Sequence, residues 1–142
     1  MNRNSDLLQN LRSAIKAQEI TDNLLPEWFQ NNVLRPIIKF QHPLLIHYIS
    51  QQKLLFKSLA QSDTKEQTRE IISIFIQKQS AIKNQLIGFI TGLLTNEEFS
   101  TYLENQSEFN RRIIQMVSQR LLDSKEEWIC LLYTSPSPRD RG

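Results

Sequence analysis

The chain has 142 residues, 39% of them hydrophobic and 23% charged, and a formal net charge of +2 at pH 7. This length fits one domain able to bury about two-thirds of its unfolded surface, and the composition excludes a disordered chain. With no basic run longer than Arg111-Arg112, nucleic acid or an anionic membrane as the main partner has only weak support and no nucleic-acid partner is expected, and the single cysteine excludes an internal disulfide framework.

The longest nearly apolar run, Leu86 to Leu94, is far short of the ~20 residues a membrane span requires. The N-terminal MNRNSDLLQN lacks the apolar centre of a signal peptide, so a cytoplasmic location is expected. Ser5 can cap a first short helix with Leu7, Leu8, Leu11, Ala14 and Ile15 on one face. Ile20 to Pro26 reads as a loop. Asn31 and Asn32 then precede a second helical run from near Val33, along which Leu34, Ile37, Ile38, Leu45, Ile49, Phe56 and Leu59 keep helical spacing. Pro36 falls in its first turn, where a missing N–H costs little. Pro43 falls inside it and predicts a kink or break between Phe40 and Pro43.

The stretch from Asp63 to Thr95 contains no proline and reads as one long central helix over about 64–94, some 45 Å long at ~1.5 Å per residue. Asp63, with Glu66 three residues on, is its expected N-cap. A wide apolar sector runs through Ile71, Ile72, Phe75, Ile76, Ile82, Leu86, Ile87, Phe89, Ile90, Leu93 and Leu94. Beside it, Ile74, Lys78, Ala81, Gln85, Gly88 and Gly92 form a stripe whose small residues would admit a neighbouring backbone. Ser73, Gln77, Ser80, Asn84 and Thr91 make the opposite face polar. Thr95 with Glu98 forms a second capping box, opening a short helix with Phe99, Tyr102 and Leu103 as its buried positions. Ser107 caps the next, where Phe109, Ile113, Met116, Val117 and Leu121 share a stripe, with Arg111, Arg112, Gln115, Gln119 and Arg120 compatible with solvent. Trp128 has no clear packing role.

The expected architecture is therefore an all-α small helical bundle around the long 64–94 helix, with residues 1–129 as a single domain. The last 13 residues, CLLYTSPSPRDRG from Cys130, hold two of the five prolines and the only cysteine. They resemble the translated read-through of a sequencing adapter, which implies a non-native, disordered tail over 130–142.

Chemistry-bearing patterns are few. His42 and His47 stand five apart, whereas two metal ligands on one helix face stand three or four apart. No phosphate-cradling glycine loop and no activated serine or cysteine can be assembled, so no catalytic, metal or cofactor residues are assigned. The polar residues singled out are Arg35, Gln41, Asn84, Asn110 and Arg112: if Asn84 and Asn110 approach each other, they can form a polar pocket with an arginine.

The runs LRPIIKFQ (Leu34 to Gln41), KNQLIGFITGLLTNEEFSTYLENQS (Lys83 to Ser107) and FNRRIIQMVSQRL (Phe109 to Leu121) resemble a family of small all-helical bacterial proteins of no established function. Its members are sometimes automatically named glyoxalase. The resemblance spans about residues 19–122, with Pro43 as a departure from it. That name implies a metal site, yet the chain shows neither the alternating strands of the lyase type nor the His-x-His-x-Asp-His cluster of the hydrolase type. Two readings follow. The first is a non-enzymatic helical module that binds a protein partner or itself. The second is a small-molecule or anion-binding protein, or an enzyme, with a pocket on the Arg35 and Arg112 side of the central helix.

Overall fold

The structure, a computed structural model, describes residues 25–134, and among these the chain is helical almost throughout, with no strand. The all-α expectation holds. The helix capped by Ser5 and the loop from Ile20 to residue 24 lie outside the described residues.

Helix α1 (Leu25–Phe29) continues without a stop through a π-helical turn (Gln30–Leu34) into α2 (Arg35–Phe40). Helix thus begins well before Val33, and Asn31 and Asn32, expected to precede it, lie inside it. In the widened turn the Arg35 N–H donates to the Gln30 carbonyl, and the Asn32 side chain donates to the Trp28 carbonyl at 3.0 Å. Pro36 has no N–H for the carbonyl four residues back, and a widened turn accommodates its ring. The break expected before Pro43 occurs at Gln41 (φ −85°, ψ 3°), and α3 (His42–Ser50) restarts with the proline in its first turn. A second interruption at Gln51 and Gln52 precedes α4 (Lys53–Leu59).

The expected single helix over 64–94 is two helices, α5 (Lys65–Lys78) and α6 (Ser80–Thr91), which meet at Gln79 with φ −105° and ψ 83°. The reason is written in the apolar row itself. In an unbroken helix Ile72, Ile76, Gln79, Lys83, Leu86 and Ile90 would follow one another at alternating steps of four and three, threading an amide and an ammonium through the buried face. Burying such groups without partners is costly. The break leaves both half-buried while Ile72, Ile76, Leu86 and Ile90 stay in the core. The cap of α5 is also one residue later than expected. The Thr64 hydroxyl accepts from the Gln67 N–H at 3.1 Å, and Gln67 Oε1 serves both the Thr64 and the Asp63 N–H groups.

The element at the centre is instead α8 (Gln106–Asp123), the longest unbroken helix among the described residues. It packs against the π turn, α2, α5, α6 and α7 (Asn96–Glu104). Its Phe109, Ile113, Ile114, Val117, Leu121 and Leu122 are all buried, and Phe109 lies 4.6 Å from the Phe29 ring, centroid to centroid. Its N-cap is Asn105, without a side-chain bond, in place of the expected Ser107. The Thr95 and Glu98 box on α7 forms as read, at 3.2 and 2.9 Å. Of the three positions expected to be buried there, only Tyr102 is, because α7 meets the body along one narrow face: Phe99 and Leu103 are 39% and 51% exposed.

Two further expectations are corrected. A side chain added at Gly88 would meet nothing within 4 Å, and one at Gly92 only the Gly88 carbonyl, so no neighbouring backbone sits on the small-residue stripe. At the C-terminal end, α9 (Lys125–Thr134) runs through Cys130 and packs against α3. Trp128 is fully buried, and Ile129 and Leu131 lie half-buried against the core, while Cys130 is exposed. The helical pattern therefore does not stop at Cys130; Trp128 and Leu131, three apart, share its inward face. Residues 135–142 lie outside the described residues. Among those described, no helix is long and apolar enough to cross a membrane.

A cationic groove as the candidate functional site

Arg69, Ser73, Gln77, Ser80 and Asn84 follow one another at steps of four, four, three and four, which keeps them on one side of the α5–α6 pair despite the break. Opposite them α8 presents Ser107, Asn110, Arg111, Gln115, Ser118 and Gln119, and the two walls border an open surface groove of about 880 Å³. Lys83 lines it as well, and Ile87 and Ile114 are its apolar members. Three cations and no carboxylate stand among the described lining residues.

The three cations are unequally engaged. Lys83 Nζ reaches Gln77 Oε1 at 3.4 Å. Arg111 pairs with Glu108, whose same oxygen also accepts from Arg112 Nε at 2.7 Å. The hydrogen bond from Arg111, then that from Arg112, holds the Glu108 carboxyl below its ordinary pKa. Asp123 is likewise held low, by the Gln119 amide first and then by Lys65, with the charge of Arg69 contributing. Ser80, the first residue of the twelve-residue α6, also borders the groove, and no side chain caps that helix start.

Of the five polar residues singled out from sequence, the structure brings two together: Asn84 and Asn110 line the same groove. Asn110 Oδ1 accepts from the Tyr102 hydroxyl, whose pKa burial pushes up. The arginine beside them is Arg111. Arg112, a rotation of ~100° further round α8, points to the other side and donates to Gln30 Oε1 at 2.6 Å, fastening the π turn. Arg35 is exposed, bonds Asn31 at 3.3 Å, and borders a smaller cleft of about 390 Å³ with Arg120 and Asp123. Gln41 donates to the Phe89 carbonyl at 2.8 Å, tying the α2–α3 break to α6. Arg35 and Asn84 thus line separate clefts, and Arg112 lines neither of them. Sequence reasoning missed Arg69, Lys83 and Arg111. Arg69 was legible, four residues before Ser73 on the same polar stripe.

The histidines take separate places. Arg120 Nη1 donates to His42 Nδ1 at 3.2 Å, which obliges Nε2 to carry the proton it gives to Glu127 Oε1 at 3.0 Å. That hydrogen bond is the main cause holding the Glu127 carboxyl below its ordinary pKa. With both ring nitrogens engaged, His42 joins α3, α8 and α9 as a structural link. His47 is exposed. Among the described residues, no three His, Cys, Asp or Glu side chains stand close enough to hold a metal ion.

No protein family, no curated protein and no solved structure matches this chain.

Proposed function

We propose that this protein is a non-enzymatic helical binding module whose ligand is an anion held in the groove between α5–α6 and α8. The observation that carries the reading is the charge of that groove: Arg69, Lys83 and Arg111 with no carboxylate among the described lining residues. A groove of one sign raises the local concentration of the opposite one, and arginine forks match phosphate and carboxylate oxygens. Serine, asparagine and glutamine side chains supply the remaining donors. Calorimetric titration of the full chain with inorganic phosphate and pyrophosphate, at fixed ionic strength, tests it. Saturable binding weakened by Lys83→Gln and by Arg111→Gln is expected. Failure of both anions to bind would remove the reading.

A second reading, a protein-interaction or self-association module, is supported by Phe99 and Leu103, which lie one turn apart and largely exposed on α7. Sedimentation of the wild type beside Leu103→Asp distinguishes it: an assembly that dissociates in the variant would favour this surface.

A further inference from the structure

The placement of the three cations says more about the ligand than its sign, provided the groove is the binding site. Arg69 lies on α5 one turn after Lys65, and Gln119 on α8 one turn before Asp123, to which it donates, while Lys83 and Arg111 lie further along the two walls. The antiparallel course is set by Lys65 and Asp123, which meet at 3.5 Å. The Lys83 ammonium reaches back to Gln77, eight residues beyond Arg69, and Arg111 stands eight residues before Gln119, so at ~1.5 Å per residue the two poles stand roughly 12 Å apart along the helices. Long flexible arms shorten that span at their tips. Between the poles lie uncharged hydrogen-bonding side chains, Ser73, Gln115 and Ser118 among them. No aromatic side chain lines the groove among the described residues, which removes the stacking platform on which nucleobases are bound.

We propose that the ligand is an elongated, non-aromatic polyol carrying an anionic ester group at each end, of the sugar bisphosphate class. One phosphate sits between Lys83 and Arg111, the other against Arg69, and the hydroxyls between them meet the serine and amide side chains. The Arg111 guanidinium turns part of its fork from Glu108 to the ligand, and Glu108 keeps Arg112 as its partner.

Titration calorimetry of the full chain at fixed ionic strength, with inorganic phosphate, pyrophosphate, fructose 6-phosphate, fructose 1,6-bisphosphate and ADP, tests this. The bisphosphate should bind at least tenfold tighter than the monophosphate or inorganic phosphate, and ADP should gain nothing from its base over pyrophosphate. Arg69→Gln should bring the bisphosphate down to the level of the monophosphate and leave the monophosphate unchanged. Gln115→Glu, a nearly isosteric change that introduces a negative charge, should weaken every one of these ligands while the fold, followed by circular dichroism, is retained. Equal affinity for monophosphate and bisphosphate, or tighter binding of ADP, would overturn the two-pole inference and leave the anion-binding reading standing. Binding of none, or binding indifferent to Lys83→Gln, Arg69→Gln and Gln115→Glu alike, would overturn both.

Discussion

Trp128 donates its indole N–H to the backbone carbonyl of Leu121 at 2.8 Å, with both residues fully buried. Leu121 lies in the last turn of α8, where carbonyls have no partner within the helix, so the indole satisfies a group that would otherwise be buried without one. The same ring meets Phe56 edge-on at 5.5 Å and brings α9 onto the body. Trp128→Ala should therefore cost about 3–5 kcal/mol, the range for large aromatic truncations. Trp128→Phe should cost less, while leaving the Leu121 carbonyl unserved. Urea denaturation of both variants measures the difference; a neutral Trp128→Ala would show that α9 is not docked.

Truncation after Ile129 follows from the same packing. It removes Leu131, half-buried on the core, and shortens α9 by its last five described residues. A drop of several degrees in thermal midpoint is the expected result. An unchanged midpoint would return the segment from Cys130 to the status of an unattached tail.

Glycine offers a cleaner test on α6. Gly88 lies inside the helix with open space where a side chain would begin, so Gly88→Ala should gain up to ~1 kcal/mol in helix propensity. Gly92 ends the helix, and its added Cβ would stand 3.0 Å from the Gly88 carbonyl, so Gly92→Ala should gain less or lose. Thermal melts of the two variants compare them directly. Destabilisation by Gly88→Ala would mean that a neighbour does press on that face.

Much of the fold was legible because helical periodicity, capping boxes and prolines are local signals. The Thr95–Glu98 box, the break before Pro43 and the buried stripe of α8 all formed where the pattern put them. The break at Gln79 was also present in the pattern, as two polar residues in the apolar row, but a row of eleven apolar positions masks two exceptions. What could not be read locally is which face of α8 each neighbour takes. Arg111 and Arg112 look equivalent in sequence, and only the packing of α6 on one side and the π turn on the other assigns one to the groove and one to Gln30.

Acidification should destabilise the protein, with the sign fixed by three carboxyls. Glu108, Asp123 and Glu127 all have pKa values below their ordinary ones. A depressed carboxyl contributes stability that is present above its unfolded pKa, about 4 for these groups, and is lost as pH falls through the folded value. All three are solvent-accessible, so the effect of each is small and screened by salt. Thermal midpoints taken from pH 7 down to pH 3 should fall mainly below about pH 4–5, more steeply at low ionic strength. A midpoint that rises on acidification would contradict the assignment.

The glyoxalase name can be tested by activity. Purified protein should not turn over the hemithioacetal of methylglyoxal and glutathione, with or without added zinc or nickel. Such a lyase needs a metal held by several protein ligands with a position left open for substrate oxygens. His42 would have to give up Arg120 and Glu127 before either nitrogen could bind a metal, and its loss would loosen the join between α3 and α9. His47 lies five residues on, past one full turn of α3, and is exposed. One histidine from each of two copies could still assemble a site across a dimer. Metal-dependent turnover abolished by His42→Ala together with His47→Ala, in a variant that still folds, would establish that route and displace the non-enzymatic reading.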